Sequence, residues 1–247
     1  NNFYIEGLRW MAANLQIDGI YVDDCALDPT TMQRARKILD DSRPEPRIDL
    51  HSWNHFCEVA GWANCLNIYM DLLPYVDLVW IGEGRDYDLP PDTWLVEVSG
   101  IPFGVPGQML AGGGNKWRGM VYGITNRLGW TGSSPDPLWK FWDGVKIQEM
   151  EMIGYWDDRS PVRCSSDSVK VTVYRGLSRT LLALGNWGKA GKSVSLSLDL
   201  RTLGLGSMPA LFSEPEIPGF QPGSTLGSLG SVVVPGGEGR IIMFENN

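Results

Sequence analysis

The stretch DGIYVDD, residues 18–24, is a short apolar run that ends in two adjacent carboxylates, Asp23 and Asp24. In an α/β barrel, functional groups collect at the C-terminal ends of the strands, and side chains alternate between the interior and the helix layer. On that parity Ile20 and Val22 face the helices, Tyr21 and Asp23 face the interior, and Asp24 stands at the rim. RIDLHSWN repeats the pattern, with Ile48 and Leu50 outward, Asp49, His51 and Trp53 inward, and Asn54 just beyond. DLVWIGEG ends at Glu83 between Gly82 and Gly84. TWLVEVSG reads as another strand, with Val96 and Val98 outward and Glu97 and Ser99 inward. Four successive strands then bring Asp23, His51, Glu83 and Glu97 to one end.

Two carboxyl groups across a cleft, one ionised and one kept protonated by a less polar setting, suit glycoside hydrolysis. In that chemistry Asp23 or Asp24 is nucleophile or stabiliser and Glu83 is general acid/base. His51, Trp53, Asn54, Glu97 and Arg118 are the candidate sugar contacts. The chain is rich in Trp (11) and Gly (30), most of them before residue 160, and flat indole rings stack well on sugar faces. Other readings stay open. A strand-end carboxylate can simply cap a helix or pair with Arg85, Arg118 or Arg127. The barrel can be a non-catalytic structural or carbohydrate-binding component of a larger assembly. Asp23, Asp49, His51 and His55 offer a metal-dependent hydrolase as a third option. No HExxH, serine elbow, GxGxxG or GxxxxGK[ST] occurs, so neither a cofactor nor a metal is expected.

The bulk numbers narrow the partners. A net charge of −8 and no long Lys/Arg run argue against a nucleic-acid surface. No apolar stretch reaches the ~18 residues of a membrane span. Four cysteines (Cys25, Cys57, Cys65, Cys164) lack zinc-ligand spacing and read as free thiols. Compartment stays open, although soluble glycan-degrading enzymes are often exported.

The elements that must position these residues change character along the chain. Residues 1–162 alternate helix and strand, implying right-handed crossovers and a parallel sheet. YIEGLRWMAANLQI has Ile5, Leu8, Met11 and Leu15 at helical spacing. DPTTMQRARKILDDSR opens on Asp-Pro with a Thr cap and runs to Pro44; FCEVAGWANCLNIYMDLLPYV and DPLWKFWDGVKIQEMEMIGYW are further helices. GMVYGIT is another candidate strand, and the glycine-rich LAGGGNKWRG is a loop. Residues 163–247 hold short strands bounded by Gly, Pro, Ser and Asn, the pattern of a small antiparallel β-sandwich. KSVSLSLDL puts Val194, Leu196, Leu198 and Leu200 on one face.

The runs DGIYVDD, IDLHSWN, WIGEG, WLVEVSGIPFG, NKWRGMVYG and GYWDDRSPV, with FQPG and EGRIIM later, resemble a bacterial group related to glycoside hydrolase family 123. The likeness covers nearly the whole chain. It implies a (β/α)8 TIM-type barrel with a C-terminal β-sandwich, of which this chain holds about strands 4–8. An N-terminal barrel half, or an associated polypeptide supplying it, is then the expected partner alongside carbohydrate. Characterised relatives are similar to retaining β-N-acetylgalactosaminidases, in which the substrate's acetamido group attacks with help from an adjacent Asp-Glu pair. Here the comparable pair is Asp23-Asp24. A weaker likeness to α-galactosidase-type barrels matches Asp23 to the strand-four nucleophile and Glu83 to an acid/base on the sixth strand.

Overall fold

The computed structural model describes residues 1–23, 27–52, 70–81, 86–107, 109–110, 115–126 and 134–246. The chain forms two compact units, Asn1–Ala111 and Gly112–Asn247.

The first unit is a three-stranded parallel sheet in the order β1 (Gly19–Val22), β2 (Arg47–Ser52), β3 (Leu78–Ile81). Helix α1 (Asn2–Asn14) precedes it, and α2 (Pro29–Ser42) connects β1 to β2. α2 starts where it does because Pro29 supplies a helical φ at the first position. The cap is Asp28 rather than a threonine: its carboxylate accepts the Thr31 N–H at 2.8 Å. Met32, Ala35, Ile38 and Leu39 recur at i, i+3, i+6 and i+7 and are buried. Each large one contributes about 1.5–3 kcal/mol of transfer free energy. They share the core of the unit with Val22, Ile48, Leu50 and Val79, the outward-facing parity of the three strands.

The N-terminal ends of the strands are locked by charge. Asp77, just before β3, accepts the Ile48 N–H at 2.7 Å and the Arg36 Nη1–H at 2.7 Å. Arg36 also reaches the Pro46 carbonyl, so one guanidinium ties α2 to two strand starts. The C-terminal ends carry Asp23 and His51 instead.

Two strand expectations fail. TWLVEVSG is a helical turn, Pro91–Thr93 (α3), running into a wider π-type turn, Trp94–Val98. The start is set by Pro91, and the buried pair Trp94 and Val98 is spaced i, i+4, while Val96 is exposed. The turn stops at Gly100, whose φ is +67° and whose missing Cβ would meet the Val105 carbonyl oxygen at 1.9 Å. GMVYGIT also fails as a strand: Asn115 caps a helix, α4 (Lys116–Met120), accepting the Arg118 N–H at 3.0 Å. Only Thr125–Asn126 (β5) is extended there, and Met109–Leu110 (β4) is likewise two residues long. The helix expected over residues 56–76 lies largely outside the described residues.

The second unit is built on a six-stranded antiparallel sheet. Its strands are β6 (Glu151–Ile153), β8 (Val169–Arg175), β9 (Arg179–Asn186), β12 (Phe212–Glu214), β13 (Ser224–Leu226) and β15 (Gly239–Glu245). Their order is β13-β12-β15-β9-β8-β6. Two smaller pairs form the opposing layer: β10 (Lys192–Val194) with β14 (Val232–Val234), and β7 (Val162–Cys164) with β11 (Leu196–Leu198). KSVSLSLDL is therefore two strands. The chain switches partner at Ser195, which exchanges bonds with Ser165 on the way. Val171, Val173, Leu182 and Leu184 pack against Val194, Leu196, Val232 and Val234 between the layers.

The other face of the large sheet is covered by helix α5 (Asp136–Val145). The sequence reading ran this helix on to residue 156 and set the domain boundary at 162/163. It ends at Val145, after Gly144, and Lys146 turns left-handed at φ +57°. Beyond it Met150 and Met152 alternate with Glu149 and Glu151, a two-residue period that pairs Glu151–Ile153 with β8. Leu138 and Val145 pack with Tyr174, Leu181, Ala183 and Ile241, so α5 belongs to the second unit. A further short helix, α6 (Leu200–Leu203), is capped by Asp199.

Candidate active site

The sheet of the first unit has one apolar and one functional face. β1 and β2 pair Tyr21 with Asp49, and β2 and β3 pair His51 with Trp80. Side-chain alternation therefore puts Tyr21, Asp23, Asp49, His51 and Trp80 on one side of the sheet. That is the parity expected from the sequence for the first two strands. The His51 and Trp80 rings stack with centroids 4.1 Å apart and planes 17° from parallel. Tyr21 flanks both at 6.0 Å.

Asp23 is the exposed carboxylate on this face. Its side chain is 69% exposed, while that of His51 beside it is 8% exposed. His51 Nδ1 lies 2.8 Å from Asp23 Oδ1, and the Tyr21 hydroxyl donates to the same oxygen at 3.2 Å. An exposed carboxylate with an imidazole and a phenol converging on one oxygen has a set orientation and a face open to solvent. It can stabilise positive charge, attack an electrophilic carbon or orient a substrate amide.

The other expected site residues divide into two groups. Asp24, Glu83, Trp53 and Asn54 lie outside the described residues, as do His55, Arg85 and Arg127. Glu97 is described but rides on the Trp94–Val98 turn, half-buried, rather than at a strand end. Arg118 is on α4 in the second unit and 3% exposed. Its Nε donates to the Asn186 carbonyl at 3.2 Å, and its guanidinium lies 5.4 Å from the Trp187 ring centre. That engagement serves the β domain's own packing. Sequence reasoning did not single out Tyr21 or Trp80 for the site. The signal was available, since each sits on a strand at the parity of a suspected functional residue.

Among the described residues no group of three or more His, Cys, Asp or Glu side chains is placed to hold a metal ion. No helix among them is long and apolar enough to cross a membrane. Of the four thiols only Cys164 is described. It is free and half-buried, and burial pushes its pKa up, which makes it a poor nucleophile.

Solved structures of low sequence identity share this fold. A maltogenic α-amylase from Thermotoga neapolitana matches at TM-score 0.58 and 12% identity, over 99% of this chain and 65% of that one. A family GH27 β-L-arabinopyranosidase from Geobacillus stearothermophilus matches at 0.56 and 11%, over 99% and 62%. An Anoxybacillus α-amylase matches at 0.57 and 8%, over 100% and 63%. The chain thus spans less than two thirds of the length of these structures, and the likeness is one of fold. No curated protein matches the chain.

The TIM-barrel domain of glycoside hydrolase 123 matches residues 1–129, and the C-terminal domain of glycoside hydrolase 123 matches residues 134–245. The chain belongs to the glycoside hydrolase 123 family.

Proposed function

We propose that the protein cleaves glycosidic bonds in a glycan or polysaccharide, with Asp23 acting at the reacting sugar. The observation that carries this is the state of Asp23: exposed at the C-terminal end of a parallel strand, held on one oxygen by Tyr21 and His51, beside stacked aromatic rings. On this reading Asp23 is nucleophile or stabiliser, with Asp24 beside it in sequence. Glu83, two residues beyond the end of β3, supplies the proton to the leaving oxygen.

β1–β3 would then be the fourth to sixth strands of a (β/α)8 barrel, completed by an N-terminal half or an associated polypeptide. Two features support that. Within the described sheet β1 is an edge strand, an unusual position for a parallel strand in a barrel. Helix α1 also leaves Phe3 and Trp10 94% and 59% exposed, one above the other at i, i+7.

The test is hydrolysis of a panel of chromogenic α- and β-hexosides and N-acetylhexosaminides, and of mixed glycans, by the full chain with and without its completing segment. Cleavage by the wild type and not by Asp23→Asn supports the reading. Binding of glycan without cleavage by any form would instead make the protein a carbohydrate-binding component.

A further inference from the structure

We infer that His51 is a positioning residue for Asp23 and not itself a contact of the sugar: it is a ring held against Trp80 that presents an Nδ1–H to Asp23 Oδ1. This rests on the catalytic reading of Asp23 and assigns His51 a role within it.

The geometry separates the two residues. Asp23 is open to solvent, whereas His51 is 7% exposed. A sugar arriving at Asp23 would meet a carboxylate before an imidazole. The imidazole is held twice: by its stack on Trp80, its register partner on the neighbouring strand, and by the Asp23 bond. An exposed aspartate ordinarily samples several rotamers. Here Nδ1 at 2.8 Å and the Tyr21 hydroxyl at 3.2 Å converge on one oxygen and fix the carboxylate plane. Small misplacements of a reacting group cost up to about 10²-fold in rate.

A ring N–H donated to a carboxylate also favours its ionised form. The titratable groups on this face of the described residues are Tyr21 and Asp23 from β1 and Asp49 from β2, two residues before His51. Trp80 on β3 is uncharged, and among the described residues Asp23 is the acid that His51 contacts, at 2.8 Å. The ring must then be the Nδ1–H tautomer, with Nε2 as its basic nitrogen.

Only two histidines occur in the chain, which makes the tautomer measurable without any activity. In full-length His55→Gln protein labelled with 15N-histidine, the ring nitrogen shifts should report Nδ1 protonated and Nε2 not. Asp23→Ala, added to that protein, should release the ring to a mixture. A ring protonated on Nε2 alone at neutral pH would overturn the pairing.

Kinetics then test the consequence. His51→Phe keeps a ring over Trp80 and removes the donor. His51→Asn discards the ring and keeps an amide N–H near the Nδ1 position. We expect His51→Phe to lower kcat by about 10²-fold with little change in KM. Its acidic limb of kcat/KM should move to higher pH, and His51→Asn should restore both. A rise in KM alone, with the acidic limb unmoved, would make His51 a sugar contact and sink the proposal. Nδ1–H tautomer together with no glycosidase activity in the wild type would sink the catalytic reading of Asp23 while leaving the pairing intact. Thermal melts of both variants separate misfolding from either result.

Discussion

The two sheets of this protein use the same alternation of side chains to opposite ends. In the six-stranded sheet both faces are apolar. Val171, Val173, Leu182 and Leu184 meet the smaller strand pairs, while Tyr174, Leu181, Ala183 and Ile241 meet α5. In the three-stranded parallel sheet one parity is apolar and the other carries Tyr21, Asp23, Asp49, His51 and Trp80. The first sheet gains stability from both faces. The second keeps one face apolar and places on the other a carboxylate, an imidazole and aromatic rings, of which His51 and Trp80 are buried and Asp23 and Tyr21 exposed. The difference is where the proposed chemistry sits: on the mixed-polarity parity of the parallel strands, and not on the sheet whose two parities are both apolar.

The sharpest way to break this contrast is to exchange function and stability between the sheets. Asp23→Asn should lower turnover of a cleaved glycoside by about 10³-fold, roughly 4 kcal/mol of transition-state stabilisation, with the melting midpoint nearly unchanged. A large fall in the midpoint would show Asp23 to be structural. Leu182→Ala should do the reverse. Its side chain is fully buried between the layers, and truncation should cost about 2–5 kcal/mol by denaturant titration while kcat of the folded fraction stays the same.

A smaller effect tests the second face of the large sheet. The Tyr174 hydroxyl donates to the Met120 carbonyl at 2.6 Å, and burial pushes its pKa up. Tyr174→Phe removes the shorter of that carbonyl's two bonds, leaving the Gly123 N–H at 3.4 Å, and should cost about 0.5–1.5 kcal/mol. A neutral result would mean that water replaces the hydroxyl.

The smallest effect lies in the first unit and depends on pH. The Asp28 carboxyl is held below the usual carboxylate range, first by the Thr31 backbone N–H and then by the Thr31 hydroxyl. A folded-state pKa below the unfolded one gives stability that is fully present above the unfolded value of about 3.9 and disappears as pH falls through the folded value. Asp28→Ala should therefore lower the melting midpoint at neutral pH, and by progressively less as pH falls below about 3.9. Equal loss at neutral and acid pH would show that the cap bond does not depend on the charge.

Much of this was legible in the sequence because period-two patterns are local. Ile20/Val22 and Ile48/Leu50 showed which way Tyr21, Asp23 and His51 point before any coordinates. The β domain's short strands showed equally well. Legibility failed where an apolar run fits two periods. TWLVEVSG alternates well enough to pass as a strand, yet the prolines before it and the left-handed Gly100 after it make it a turn of helix. Arg118, a candidate sugar contact from the sequence, also donates its Nε–H to the carbonyl of Asn186, a bond its sequence neighbours do not reveal. KIQEMEMI failed in the opposite direction, since helical residue types continue past Val145 although the backbone has already turned at Lys146.

The position of β15 has a bearing on how the molecule is made. Residues 239–245 form an interior strand of the large sheet, bonded to β9 along seven residue pairs on one side and to β12 on the other. As the chain leaves the ribosome, β8 and β9 can pair at once, but the inner edge of β9 stays open until these late residues emerge. From the completion of β9 at Asn186 to the emergence of β15 at Gly239, the nascent β domain carries an exposed strand edge. It is then a natural client for a chaperone, and the place where crowded, half-made copies would first stick to one another.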